Sequence, residues 1–119
     1  MKRRILASAI AALTATAGMV IPASPASAAA PCYAQGGVLI CGHVGGAALW
    51  KHRSYGSYIT DYLYSATKPD FFYCWGYGDQ HSGGNNVWYW TQGDNLGWGN
   101  VPAVDVYTSK DPFPGVEQC

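Results

Sequence analysis

The chain has 119 residues and carries seven Lys or Arg and seven Asp or Glu side chains, so its formal net charge is zero. Three of the basic residues stand at the start, before an apolar run and a small-residue stretch that ends in Ala26-Ser27-Ala28. This order is typical of a secretory signal peptide over residues 1–28, with cleavage after Ala28 or Ala30. The alternative is an uncleaved membrane anchor, which the missing basic stop-transfer flank disfavours.

Removal of that segment leaves 91 residues with four basic and seven acidic side chains, a formal net charge of −3. This charge excludes a nucleic-acid binder that relies on a basic surface, and it excludes a polybasic membrane-surface protein. A chain of this length forms one small domain. We therefore expect a secreted, extracellular protein with no nucleic-acid partner and no membrane contact after cleavage.

Aromatic residues provide most of the apolar material of this mature part. It contains nine Tyr, five Trp and three Phe, but only 13 Ile, Leu and Val residues together. Each buried ring removes about 150–250 Å² from water, so rings must supply much of the core. The 14 glycines and the aromatic content both disfavour long helices. The composition therefore predicts a small all-β domain.

The chain reads as a series of short strands separated by turns. The apolar run Val38–Cys41 lies between glycines and predicts the first strand. Further strands are predicted at 48–51, 59–64, 71–77, 87–91 and 98–108, with turns or loops at 52–58, 67–70, 81–86 and 93–97. Alternation places Trp88 and Trp90 on one face of their strand, and Pro102 interrupts the last strand. This spacing favours a small barrel or sandwich.

The four cysteines, Cys32, Cys41, Cys74 and Cys119, all lie in the mature part and predict two disulfides in an exported protein. Three pairings are possible. We favour Cys32–Cys41, which closes a short loop, and this leaves Cys74–Cys119. A zinc site is the alternative, but there is no Cys-x-x-Cys pair. The three histidines, His43, His52 and His81, also lack ligand-like spacing to the cysteines, so we expect no metal and no cofactor.

The order of the motifs resembles that of the bacterial SH3-like domains, which occur in exported and cell-wall-associated proteins. The motifs are ALWK at 48–51, HRSYGSY at 52–58, LYSATK at 63–68, FFYCW at 71–75, WYWT at 88–91 and GNVPAVDV at 99–106. The chain departs from the family pattern at Ala48, Ala66, Asn100 and Asp105. The resemblance implies an SH3-like barrel of about five short strands over residues 48–108. It leaves a Gly- and Cys-rich extension at 29–47 and a Pro-rich tail at 109–119, both tied by disulfides.

The resemblance also implies where a ligand binds. In that family, peptides lie in a groove beside the long first loop and the loop between the middle strands. The matching positions here are Tyr55, Tyr58, Trp75, Tyr77, Trp88 and Trp90. We expect about half of these rings to belong to the core, because alternation shows which residues share a face but not which face is buried.

The sequence gives little support for a catalytic site. Asp79, His81 and Ser82 lie in a Gly-rich turn and are interpreted as solvated turn residues, since a catalytic triad needs fixed geometry. Glu117 is the only Glu in the sequence, and no pattern indicates the pair of carboxylates that glycoside hydrolysis needs. Calcium binding by Asp79, Asp94, Asn85 and Asn95 lacks the EF-hand spacing.

The sequence thus favours a secreted, non-catalytic module, not an enzyme, that binds cell-wall peptide, peptidoglycan or another extracellular peptide through an aromatic groove. The alternative is a secreted inhibitor or toxin-like effector that acts on an extracellular protein. Compactness, disulfides and exposed rings suit both.

Overall fold

A computed structural model describes residues 31–119 as an all-β fold with one antiparallel sheet of seven strands. The strands are β1 (Tyr33–Gln35), β2 (Val38–Cys41), β3 (Ala47–Trp50), β4 (Ile59–Leu63), β5 (Asp70–Tyr77), β6 (Val87–Gln92) and β7 (Trp98–Pro102). Their order across the sheet is β1-β2-β5-β6-β7-β3-β4. The predicted signal peptide at 1–28 lies outside the described residues.

The sheet differs from the expected barrel in strand number and in closure. Residues 48–108 account for most of five adjacent strands, β3 to β7, but the extension adds two more. Gly36 and Gly37 both have positive φ, at 59° and 84°, which allows the tight turn between β1 and β2. The β2 strand then pairs with β5 and continues the sheet. Since β1 and β4 stand at opposite edges, the strands form an open sheet.

The inner face of the sheet carries the core. Its buried side chains include Leu39, Leu49, Leu63, Phe72, Val87, Tyr89 and Val101, each at most 2% exposed. Phe72 and Tyr89 pack edge to face with ring centroids 6.1 Å apart. Aliphatic side chains from five strands thus surround two rings, so fewer rings are needed in the core than the composition suggested.

The C-terminal segment covers part of the inner face. The predicted closing strand 98–108 ends at Pro102, as the missing N–H of proline favours, and a 3₁₀ turn follows at Ala103–Asp105. Farther on, Val116 is 9% exposed and packs against the core. The Trp75 indole N–H donates to the Val116 carbonyl at 3.1 Å. The backbone N–H of Cys119 donates to the Trp75 carbonyl at 2.8 Å.

Two disulfides fasten both ends of the described chain. Cys32 is bonded to Cys41 and Cys74 to Cys119, which confirms the favoured pairing. The first closes the β1–β2 hairpin, and the second joins the tail to the centre of β5. Within residues 31–119 no cysteine is free. Such bonds fit an extracellular protein.

Candidate functional site

Large rings line the outer face of the sheet, opposite the core. The outer face is defined by Trp50, Tyr73, Trp88, Trp90 and Trp98. Pairing of Trp50 and Trp90 with Asn100 places these side chains on the same side, because directly paired residues of antiparallel strands share a face. The stacked rings of Trp90 and Trp98 lie 5.8 Å apart, and Tyr73 lies 5.4 Å from Trp98. These three rings, Trp90, Trp98 and Tyr73, form what we name the ring row.

The first loop, residues 51–58, folds over one end of the outer face. The Tyr55 ring lies 5.4 Å from Trp50 and 5.0 Å from Trp88, centroid to centroid. Asp79 holds the loop there, because its Oδ2 accepts from the Tyr55 N–H at 3.0 Å and its own N–H donates to the Arg53 carbonyl at 2.9 Å. Burial and the nearby carboxylates of Asp105 and Asp79 raise the pKa of Tyr55.

Two glycines of the neighbouring hairpin allow this loop to approach closely. A Cβ at Gly78 would clash with the Arg53 carbonyl oxygen, and one at Gly76 would lie 2.5 Å from the Arg53 guanidinium carbon. The guanidinium therefore rests on the backbone of β5, where its Nε donates to the Tyr77 carbonyl at 3.1 Å. Larger residues at either position would push the basic part of the loop away from the sheet.

The first loop, the sheet and the tail enclose an open groove of about 360 Å³, which we name the outer groove. It is lined by Lys51, His52, Arg53, Cys74, Trp90, Asn100 and Cys119. Asn100 is 4% exposed and its Nδ2 donates to the carbonyls of Trp50 and Lys51, both at 3.2 Å. Its amide thus holds the start of the loop, while its Oδ1 has no hydrogen-bond partner within the described residues.

Three basic residues contribute to the lining of the outer groove. Lys51, His52 and Arg53 are consecutive, and no Asp or Glu of the described part lines the groove. Within residues 31–119, the ion pairs that form involve His43 with Asp70 and Lys68 with Asp70, so neither Lys51 nor Arg53 has a carboxylate at pairing distance. The groove therefore presents cations beside a half-buried tryptophan.

The six predicted ligand-binding residues do not form one surface. Tyr55 is 44% exposed and Tyr58 is 65% exposed on the first loop, and Trp90 lines the outer groove. Trp88 has no exposed surface, so it supports Tyr55 from below and is not available to a ligand in this conformation. This corrects its place among the ligand-binding residues.

Trp75 and Tyr77 lie on the other side of the sheet. Their rings are 5.0 Å apart, and Trp75 packs against the core. They pair with Tyr89 and Val87, both inner-face residues. A bulge between Phe72 and Cys74 breaks the two-residue alternation of β5, and that is why this pair does not join Trp88 and Trp90.

The candidate catalytic residues have structural partners. His81 is 7% exposed, so the interpretation of it as a solvated residue is wrong. The Gly83 N–H donates to its Nδ1 at 3.2 Å, and its Nε2 lies 2.9 Å from the Val87 carbonyl. Asp79 binds the Tyr55 N–H instead of the imidazole. Both ring nitrogens are thus used to shape the 81–86 turn.

The candidate calcium ligands each form hydrogen bonds with other partners. Asp94 accepts from the Tyr64 N–H at 2.8 Å, Asn85 accepts from the Val87 N–H at 2.8 Å, and the Asn95 side chain donates to Asp61 at 2.9 Å. Across residues 31–119, no three or more His, Cys, Asp or Glu side chains are grouped so as to hold a metal ion.

Sequence reasoning missed the basic lining and the role of Asn100. Lys51 was predicted at the end of the strand 48–51, and His52 and Arg53 at the start of the loop 52–58; together they hold two of the four basic charges of the mature chain. Asn100 was visible as a departure from the SH3-like pattern. Neither observation showed that the loop returns across the sheet to bring these groups together.

Comparisons of the chain with protein-family models, with curated proteins and with solved structures found no match. In the described part of the chain, no helix is long and apolar enough to span a membrane.

Proposed function

We propose that this protein is a secreted, non-catalytic binding module that recognises an extracellular peptide, with the peptide of the bacterial cell wall as its ligand. We further propose that residues 48–108 are related to the bacterial SH3-like domains. The ordered motifs support that relationship, and so do the five adjacent strands that this segment contributes. The two disulfides support an extracellular location.

The observation that carries the proposal is the outer groove. It joins a tryptophan face to cationic side chains in an open cleft, and the ring row extends from it toward Tyr73. Rings give large contact areas at a small cost in side-chain entropy, and cations orient a charged or polar ligand. An open cleft of this kind suits a flat, extended chain.

The ring row leads to a second depression of about 400 Å³, which Tyr73 lines together with Phe71, Ile40, Val38 and Gln35. Tyr73 is 42% exposed and Trp98 is 41% exposed, so both rings offer surface between the two depressions. A peptide of several residues could therefore contact the groove with one end and the apolar strands with the other.

Retention on purified peptidoglycan tests the proposal. We expect the wild-type protein to sediment with the wall material and the Trp90→Ala variant to lose at least tenfold in affinity, because a tryptophan at the centre of a contact commonly contributes about 2 kcal/mol or more. Tyr107→Ala is the matched control, because Tyr107 is an exposed ring that lies against Gly42, away from the groove.

Circular dichroism melts of both variants must show folded proteins for this comparison to hold. Equal retention of the Trp90 variant, or no retention of the wild type, contradicts the proposal. Tight inhibition of a secreted protease or amylase without wall retention supports an inhibitor or effector in its place.

A further inference from the structure

The second depression of the outer face, of about 400 Å³, has an apolar lining, and we name it the apolar depression. Among the described residues, it is lined by Gln35, Val38, Ile40, Phe71 and Tyr73, none of which is charged. Tyr33 pairs with Ile40, and Ile40 pairs with Phe71, so the Tyr33 ring lies on the same face. Phe71 is 54% exposed and Tyr33 is 52% exposed, so the surface around the depression is also apolar.

A single leucine projects from the 93–97 turn, close to this depression. Leu96 is 73% exposed and has a positive φ of 72°, a conformation that hairpin loops of this kind usually give to glycine. The Leu96 N–H donates to the Gly93 carbonyl at 3.0 Å, and the Gly93 N–H donates to the Gly97 carbonyl at 2.7 Å. A leucine here is unfavourable for the fold in both exposure and backbone conformation, and its side chain is free to contact another molecule.

Leu96 and the apolar depression adjoin the same pair of rings, Tyr73 and Trp98. Tyr73 lines the depression, and its ring lies 5.4 Å from that of Trp98, the first residue of β7. Leu96 stands two residues before Trp98 in the chain, and the preceding Gly93 lines a shallow cavity together with Tyr73. Because Leu96 remains exposed, it does not fill the depression of its own chain. One molecule therefore carries an apolar projection and an apolar depression side by side.

The exposed apolar area of this face matches what a stable dimer needs. Tyr33, Phe71, Tyr73 and Trp98 are between 41% and 54% exposed. A ring can bury about 150–250 Å², so the exposed parts of these four rings and of Leu96 together offer about 500 Å². This is near the upper end for the largest apolar patch of a monomer. Homodimer interfaces are about 65% apolar, so such an area corresponds to about 800 Å² per partner, the size of a standard interface.

We propose that a second copy of this chain packs on this face about a two-fold axis near Tyr73 and Trp98, with Leu96 of each copy in the apolar depression of the other. A two-fold contact uses one surface twice, so each copy must carry both the projection and the depression. The uncharged lining suits a second copy, because the two depressions are covered without repulsion and without burial of an unpaired charge. This dimer goes beyond the proposed function and does not use the basic residues of the outer groove.

Sedimentation velocity of the purified protein over a range of concentrations tests the inference. We expect dimer to predominate at about 100 µM, because interfaces of this size have dissociation constants in the micromolar range or below. Leu96→Gly should raise the dissociation constant about tenfold or more. It should not lower the urea midpoint, because glycine readily adopts a positive φ. Tyr77→Ala is the matched control, since it removes an exposed ring from the other side of the sheet and should dimerise like the wild type.

A mixture of two variants tests the reciprocal arrangement. Phe71→Ser removes part of the wall of the depression and should weaken the dimer about tenfold or more. Because Phe71 is half exposed, the variant is expected to fold, and circular dichroism checks this. A heterodimer of the Phe71 and Leu96 variants keeps one intact contact, in which the leucine of the first occupies the depression of the second. We therefore expect the mixture to contain more dimer than either variant alone at the same total concentration.

A protein that stays monomeric at every concentration, or a Leu96→Gly dimer as tight as that of the wild type, overturns the inference. A mixture with no more dimer than the separate variants overturns the reciprocal contact, and so does growth into filaments without a dimer. Peptidoglycan retention is a separate measurement. A monomer that is retained on the wall material would keep the proposed function and lose this inference, whereas a dimer that is not retained would do the reverse.

Discussion

The inner and outer faces of the sheet use the same strands but differ in how completely they are covered. On β6 the inner Tyr89 and the outer Trp88 are both fully buried, whereas the next outer residue, Trp90, is partly exposed. The inner face is closed by the tail and by aliphatic side chains. The outer face is covered in part, where the first loop crosses it, and the outer groove lies between that loop and the end of the tail.

This difference indicates that aromatic rings have two roles in this small domain. Inner rings such as Phe72 and Tyr89 have no exposed surface and stabilise the fold. Outer rings such as Trp98 and Tyr73 are about two-fifths exposed and are more than the fold requires. Surplus aromatic surface beside cations is the physical basis for expecting a ligand on the outer face.

The largest expected difference in stability comes from truncating one aromatic side chain on each face. Phe72→Ala removes a fully buried side chain and should lower the free energy of unfolding by about 3–5 kcal/mol. Trp98→Ala removes a larger but partly exposed ring and should cost only about 1 kcal/mol, since less of its surface is buried and solvent can fill its place. Urea unfolding followed by far-ultraviolet circular dichroism measures both. Comparable losses would show that the outer rings are part of the core.

The two disulfides offer the next contrast, because they fasten the chain over different lengths. Cys74–Cys119 spans 45 residues and Cys32–Cys41 spans nine. Loop-closure entropy predicts costs of about 4 and about 2.5 kcal/mol when each bond is lost. We therefore expect Cys74→Ala/Cys119→Ala to be less stable in urea than Cys32→Ala/Cys41→Ala.

Loss of both bonds should lower the melting temperature more than loss of either, and dithiothreitol should reproduce this. If the hairpin variant is the less stable of the two, the β1–β2 hairpin holds the sheet more strongly than loop length implies. An unchanged melt after reduction would contradict a stabilising role for both bonds.

Composition and spacing predicted the all-β class and most strand positions, because these depend on local chemistry. The disulfide pairing was predicted from the short loop that Cys32–Cys41 closes, which left Cys74–Cys119. The strand β1, Tyr33–Gln35, was missed, since three residues are too few to show an alternation. The open sheet was missed for a related reason. Val38–Cys41 was predicted as a strand, but its pairing with β5 depends on contacts between distant residues that no local pattern encodes.

The candidate site was predicted only in part. Tyr55, Tyr58 and Trp90 lie on or near the first loop and the outer groove, but the bulge after Phe72 turned Trp75 toward the core. A bulge is a one-residue insertion in the pairing, and the sequence FFYCWGY does not mark it. The basic lining depends on Gly76 and Gly78 admitting the loop, which is a long-range contact.

The smallest expected effect concerns the 93–97 turn, which Asp61 holds against β4. Asp61 is 4% exposed; its Oδ2 accepts from the backbone N–H groups of Asn95 and Gly97 at 2.9 and 2.8 Å. Its Oδ1 accepts from the Tyr62 N–H at 2.7 Å. Burial alone raises the pKa of this carboxyl, but the hydrogen bonds outweigh it, so the pKa lies below its ordinary value.

A lowered pKa in the folded state makes this carboxylate a source of acid sensitivity. As pH falls below about 4, the unfolded chain takes up a proton at Asp61 before the folded chain does, so the stabilisation present at neutral pH is lost as pH falls through the folded pKa. Asp61→Asn should therefore cost about 1–3 kcal/mol at pH 7 and less at pH 3, because its amide places a donor where acceptors are needed. Urea unfolding at both pH values measures the difference.

Asp94→Asn is the matched control, since Asp94 is an exposed carboxylate at the same turn and accepts from the Tyr64 N–H. At pH 7 it should be less destabilising than Asp61→Asn, because fewer hydrogen bonds depend on it. If Asp61→Asn costs the same at pH 3 and pH 7, the folded pKa is not lowered, and the turn beside the ring row depends on packing alone. Because the turn joins β6 to β7, which carry Trp90 and Trp98, a loosened turn should also shift the indole signals of both rings.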